Sequence, residues 1–165
     1  MARNIVADTS AFMMGPGFSC EDMVHVPPGV ERELAGKGLM GGTNELIIKV
    51  ETPTRASMDL VAKAAQVTGD DARLSPTDME VLALALDTGL PIMTDDYSIQ
   101  NMATHMGLSV EPVSEKGITE ERRWTYRCKG CRRTFDKNMD ECPICGSEVR
   151  SGAPKRVGRA VKHRR

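Results

Sequence analysis

Residues 75–101, SPTDMEVLALALDTGLPIMTDDYSIQN, constrain the fold more than any other stretch of the chain. Ser75 suits a helix N-cap and Pro76 the first helical position. Val81 to Leu86 follow as a continuous apolar run, so this helix requires neighbours on most of its sides. Gly89 stops it, and residues 90–93 read as a short buried strand. The chain leaves that strand directly into Thr94, Asp95 and Asp96, and another helix begins near Tyr97. Carboxylates therefore stand at the start of a buried helix and at the end of a buried strand, where an acid is costly to desolvate without compensation.

The rest of the N-terminal part repeats this alternation. Residues 4–7 (NIVA) form a strand ending at Asp8, and 24–26 form another, very short one. Pro27, Pro28 and Gly29 open a helix, VERELAG, in which Glu33 shares a face with Val30 and Leu34. Residues 46–50 are a third strand, 53–67 a helix stopped by Gly69, and 107–113 a last strand. The loop 36–44 lacks the order of a phosphate-cradling P-loop. Strands alternating with helices predict an α/β fold, a parallel sheet flanked by helices. In such sheets functional groups gather beyond the carboxyl ends of the strands, where Asp8 and Asp96 both fall.

Charge divides the chain. Of its 165 residues, 1–120 carry 8 Lys and Arg against 18 Asp and Glu, a net of −10; 121–165 carry 14 against 5, a net of +9. Metal cations suit the first part, and a polyanion such as nucleic acid suits the second. No apolar run is long enough to span a membrane and no basic-plus-apolar leader opens the chain, so a cytoplasmic location is expected.

Asp8, Glu33, Asp78 and Asp96 are the candidate catalytic acids. Clustered carboxylates repel, and Mg²⁺ or Mn²⁺ is their usual compensation. Three of these acids have a plainer explanation taken alone. Asp78 lies three residues after Ser75 and completes a capping box. Asp96 can cap the helix that follows it, and Glu33 can be an acid at the surface edge. Asp95 reads as exposed, with an additional ligand role left open.

Cys128-x-x-Cys131 and Cys142-x-x-Cys145, ten residues apart, have the spacing of a structural Zn²⁺ site with four thiolates. A module of this size cannot build a core, so the metal supplies its folding energy. Cys20 stands alone and reads as inert. Trp124, Tyr126 and Phe135 flank the knuckles and either pack over the zinc or stack bases beside Arg127, Arg132 and Arg133. The basic end, with Lys155, Arg156 and Arg159, reads as an RNA-binding arm or a solvated tail.

DTSAF (8–12), the acid of VERELAG, TGD (68–70), LSPTDME (74–80), TDDYSIQN (94–101) and the four-cysteine ribbon occur in an order that closely resembles the Nin-one-binding family. These are PIN-domain endonucleases with a zinc ribbon that mature small-subunit ribosomal RNA. The resemblance covers nearly the whole chain, in the compact form of the archaeal members. It implies a PIN-like nuclease domain over 1–113, a linker over 114–123, one zinc ribbon over 124–150 and a flexible basic tail over 151–165. It maps the family's Mg²⁺- or Mn²⁺-binding acids onto Asp8, Glu33, Asp78 and Asp96. It further implies metal-assisted hydrolysis of precursor small-subunit rRNA near the mature 3′ end, on the pre-small ribosomal subunit, with a KH-domain assembly factor as a partner. Two other readings compete: a non-catalytic RNA-binding assembly factor, and a toxin-type PIN ribonuclease.

Overall fold

A computed structural model describes residues 2–13, 18–39, 46–113, 120–123, 125–152 and 155–159, with 120–123 and 155–159 described by their backbone alone. Five strands, β1 (Asn4–Ala7), β2 (Met23–Val26), β3 (Ile47–Val50), β4 (Ile92–Met93) and β5 (Val110–Glu111), form one sheet in the order β3-β2-β1-β4-β5. Every neighbouring pair is parallel. The connecting helices are α1 (Thr9–Met13), α2 (Pro28–Gly36), α3 (Arg55–Thr68), α4 (Pro76–Thr88) and α5 (Tyr97–His105).

The central strand β1 is apolar on both faces, and Ile5, Val6 and Ala7 are fully buried, as expected of a parallel strand covered by helices on either side. Helix α4 packs against α2, α3, α5 and β1. Its run Val81–Ala85 is buried almost completely, which accounts for the lack of a polar face in its sequence. Burying side chains such as Leu82 and Leu84 contributes roughly 1.5–3 kcal/mol each. The helix is bounded as its sequence requires: Ser75 and Asp78 exchange the two hydrogen bonds of a capping box, and Gly89 takes the left-handed conformation at its end.

Helix α1 was not legible in the sequence, because five residues are too few to show a helical period. Strand β5 is shorter than the expected 107–113; Gly107 (φ +71) turns the chain before it and Pro112 follows it. The expected linker and the expected flexible tail are in part strand. Within the linker, β6 (Glu120–Arg123) pairs antiparallel with β10 (Lys155–Arg159) from the tail, placing Arg123 across from Lys155 and Glu120 across from Arg159. Strand β6 also lies beside α5. Backbone pairing of this kind tolerates polar and basic side chains, so composition gave no sign of it. Ser151 likewise belongs to a strand, β9 (Val149–Ser151), which with β7 (Tyr126–Cys128) and β8 (Thr134–Phe135) forms the ribbon sheet in the order β8-β7-β9. The remaining linker and tail positions, 114–119, 153–154 and 160–165, lie outside the described residues. No helix among the described residues is long and apolar enough to cross a membrane.

One ion pair fixes the entry to β2. Asp22 is fully buried and accepts from the Arg3 guanidinium at 2.6 Å, the Arg3 amide at 3.0 Å and the Ser19 amide at 2.9 Å. The Arg3 side chain, then the Ser19 amide, holds this carboxyl well below the usual carboxylate range. The unfolded chain takes up the proton first on acidification, so the stabilisation is present above about pH 3.9 and is lost below it. Arg3→Ala is expected to lower the thermal midpoint at pH 7. The gap to wild type should narrow as the pH falls below about 3.9, as followed by circular dichroism.

Candidate active site and metal centre

Strands β1 and β4 are direct neighbours, with Val6 beside Ile92 and Ala7 beside Met93. The Asp8 amide continues the ladder by donating to the Met93 carbonyl at 3.2 Å. Both strands therefore end at one edge, and the residues after them meet there. The Thr94 hydroxyl donates to Asp8 Oδ2 at 3.0 Å and accepts from the Asp96 amide at 3.0 Å. Thr94 is fully buried, and its carbonyl is held by Gln100 Nε2 at 2.9 Å. On the other side, the Ser10 amide donates to Asp8 Oδ2 at 3.3 Å, and the Ser10 hydroxyl accepts from the Asp95 amide at 3.2 Å. A buried threonine and a serine thus stitch the two strand ends together and aim Asp8, which is only 6% exposed.

The other acids reach this edge from helix ends. Asp96 caps α5, its Oδ1 accepting from the amides of Ser98 and Ile99, and is otherwise exposed. Glu33, one turn from the end of α2, accepts the Thr9 hydroxyl at 2.7 Å and is thereby tied to the residue beside Asp8. Asp78 does serve as a cap, accepting the Ser75 amide at 2.7 Å. It is also part of the acidic edge: burial pushes its carboxyl up, and the charges of Asp96 and Asp8 add to that rise. One side chain thus serves as the cap and also lies within reach of the charges of Asp8 and Asp96. Asp95 is turned away, its carboxylate accepting the Val113 amide at 2.8 Å.

Among the described residues none of Asp8, Glu33, Asp78 and Asp96 makes an ion pair with a basic side chain. Nor do any three acids there bring carboxylate oxygens within 4.8 Å of one another. Asp78 feels the like charges of Asp96 and Asp8, and a divalent cation is the usual compensation for acids that repel one another. The sequence pattern did not single out Thr9, Ser10 and Thr94 as the groups that hold these acids. The available signal was a hydroxyl residue adjacent to an acid at each strand end.

The four cysteines do gather. Their sulfurs all lie within 4.8 Å of one another, with Cys128 to Cys145 at 3.4 Å and Cys131 to Cys142 at 3.6 Å. A tetrahedral zinc with bonds of about 2.3 Å needs sulfur separations of about 3.8 Å, so the residues fit that ion. Gly130 makes the fold of the knuckle possible: a Cβ there would collide with the Ser147 side chain and stand 3.2 Å from Cys145 Sγ. Hydrogen bonding to Cys145, chiefly from the Ser147 side chain, lowers that thiol to about 6, which favours the thiolate a metal requires.

The expected RNA-binding residues separate into groups. Tyr126 is 2% exposed, packs in the ribbon core with Phe135 beside it, and donates its hydroxyl to the Gly69 carbonyl at 2.6 Å. Its ring is not available for stacking, and the packing alternative is the correct one for this residue. Arg127, Arg132 and Arg133 are exposed, with no ion pair among the described residues. The nearby Lys129 and Arg150 are instead engaged by Glu148 at 2.6 and 2.7 Å. Trp124 lies outside the described residues, and Lys155, Arg156 and Arg159 are placed by backbone alone in β10.

Residues 5–88 match the family model described as the PIN domain of ribonuclease. Curated relatives include ribonuclease VapC1 of Thermoplasma acidophilum, 42% identical over 67% of this chain and 57% of its own length. Endoribonuclease Nob1 of Methanothermobacter thermautotrophicus is 40% identical over 62% of this chain and 63% of its own. Endoribonuclease Nob1 of Pyrococcus abyssi is 34% identical over 88% of this chain and 91% of its own. The chain thus spans about 60% of the length of the first two and nearly all of the third.

Two outcomes test this geometry. Asp96→Asn removes a like charge and should lower the Asp78 carboxyl, read by carboxyl-detected NMR titration; an unchanged value would place the two acids apart. Zinc chelation should erase the amide protection of β7–β9 while the helical circular dichroism of residues 1–113 persists.

Proposed function

Because this chain belongs to the PIN-domain ribonuclease family and to the Nob1 endoribonucleases within it, we propose that it is a divalent-metal-dependent endoribonuclease that cleaves precursor small-subunit ribosomal RNA near its mature 3′ end. The observation that most supports this reading is the acidic edge itself. There Asp78 is raised in part by Asp96 and Asp8, and among the described residues no basic side chain offsets them.

Asp8, Glu33, Asp78 and Asp96 would hold Mg²⁺ or Mn²⁺. Mg²⁺ retains several waters, which suits carboxylates spaced more widely than direct ligation by all four would allow. When bound, the cation lowers the pKa of a coordinated water and offsets charge on the phosphate in the transition state. The chain's own contribution is placement. Thr94 and Ser10 fix the buried Asp8, Thr9 fixes Glu33, and the capping box fixes Asp78. Hydrolysis forms a bond from water oxygen to phosphorus and breaks the bond to the 3′ oxygen, which leaves as the mature 3′-hydroxyl. Below the raised value of Asp78 this carboxyl is protonated, so metal affinity should fall on acidification.

The ribbon, with one structural Zn²⁺ on Cys128, Cys131, Cys142 and Cys145, supplies the RNA affinity through Arg127, Arg132 and Arg133. The strand carrying Lys155, Arg156 and Arg159 adds to it. The pre-small ribosomal subunit and a KH-domain assembly factor are the proposed partners, in the cytoplasm. A toxin-type ribonuclease, which the similarity to VapC1 would favour, leaves the cysteine cluster and its basic surface without a role.

Incubation of a precursor small-subunit rRNA fragment with Mn²⁺ is expected to give one cut near the mature 3′ end. Asp8→Asn should reduce the rate at least 100-fold, on the order of a lost catalytic group, and leave RNA affinity intact. Tight binding without any cut by wild type would favour the non-catalytic assembly factor, and persistent cutting by Asp8→Asn would remove Asp8 from the site.

A further inference from the structure

The ribbon grips the N-terminal domain at one turn, and that turn leads into the helix of Asp78. Helix α3 ends on Gly69, whose positive φ of +78 suits glycine and whose amide donates to the Ala65 carbonyl at 2.9 Å. The Gly69 carbonyl, one of those a helix end leaves without an internal partner, accepts the Tyr126 hydroxyl from the ribbon at 2.6 Å. Both residues are buried. Four residues on, Arg73 Nη2 donates to Ser151 Oγ at 2.7 Å, a second contact from the same turn to the ribbon. Tyr126 and Ser151 are register partners on β7 and β9, so the two contacts come from one spot of the ribbon sheet.

Between these contacts the turn is internally rigid. Asp70 is fully buried; its carboxylate accepts from Asn101 Nδ2 at 2.7 Å, and its carbonyl accepts from the Arg73 and Leu74 amides at 2.8 and 3.0 Å. Leu74 enters the main core, and Ser75 then caps α4. Because Asp78 accepts the Ser75 amide, the direction of its carboxylate follows the backbone at Ser75. The seven residues 69–75 therefore connect the Tyr126 contact to the orientation of Asp78.

We propose that Tyr126, with Ser151 beside it, is a positioning residue for Asp78: the ribbon clamps the turn 69–75 and so fixes the start of α4 from which Asp78 joins the acidic edge. The catalytic meaning of the clamp rests on the endonuclease reading above, whereas the clamp itself rests on geometry. Tyr126 lies two residues before Cys128, and Ser151 two residues after Val149, the register partner of Cys128. The knuckle that sets Cys128 thereby sets both clamp residues, and the ribbon is coupled to the acidic edge as well as being a surface for RNA.

The test uses the full chain as Tyr126→Phe, which keeps the ring, and as Tyr126→Phe with Ser151→Ala. Hydrogen exchange across residues 70–78 should accelerate about three- to tenfold, the worth of a single hydrogen bond. Zinc stoichiometry by native mass spectrometry and RNA affinity should be unchanged. In the cleavage assay the midpoint of the Mn²⁺ dependence should move to higher concentration, with the rate at saturating Mn²⁺ retained. Unchanged exchange at 70–78, or faster exchange confined to the ribbon and accompanied by zinc loss, would overturn the clamp. So would weaker RNA binding with unaltered exchange, which would return Tyr126 to the RNA surface. Should wild type cut no RNA, the endonuclease reading fails and the exchange measurement still decides the clamp.

Discussion

Parallel pairing of β1 with β4 is the interaction on which the other features depend. It joins residues more than eighty positions apart, Val6 to Ile92 and Ala7 to Met93, and makes both strands end at one edge. Once they do, a single buried hydroxyl, that of Thr94, can reach Asp8 and the Asp96 amide together. The crossover between the strands includes α3 and α4, and α4 is buried so completely that its first turn has little freedom. Asp78 arrives at the acidic edge because that helix is pinned between the sheet and its neighbours. Carboxylates held in this way bear their mutual repulsion because a packed core, worth far more than a surface charge contact, fixes the backbone beneath them.

The ribbon answers the same problem with opposite chemistry. Its buried cluster consists of Tyr126, Cys128, Cys142 and Val149, with Phe135 and Met139 packed against it. That is too little apolar surface to hold a fold, and four converging thiols make up the deficit. Its exposed arginines give the C-terminal part a positive surface while the N-terminal part is acidic, two modules of opposite charge whose chemistries suit a polyanion and a cation respectively. The contacts at Gly69 and Arg73 join the two without using any of the exposed arginines.

Local chemistry made much of this readable in advance. Ser75, Pro76 and Gly89 bounded α4, the apolar run announced its burial, and the paired knuckles announced the four-cysteine cluster. Asp8 and Asp96 could be placed at strand ends because the strands themselves were visible. What stayed out of reach depended on distant partners. An aromatic residue among arginines has the same sequence signature whether it faces a base or a buried carbonyl, and Tyr126 faces the carbonyl of Gly69. The linker and tail looked like solvated segments because their strand character comes from each other, in the pairing of β6 with β10, and not from any pattern of their own.

The sequence by itself determined the alternation of strands and helices, the caps, the metal-ligand spacing of the cysteines and the placement of Asp8 and Asp96 just after strands. Each of these is set by period, conformation or spacing within a few residues. Only the tertiary structure decided that the capping Asp78 lies within reach of the charges of Asp8 and Asp96, that Thr9, Ser10 and Thr94 hold acid side chains, and that Tyr126 joins the ribbon to the turn before α4. The physical reason is common to all three. A hydrogen bond or a charge repulsion acts over a few ångströms of space, and the residues concerned are brought within that range by sheet pairing and helix packing between segments far apart in the chain.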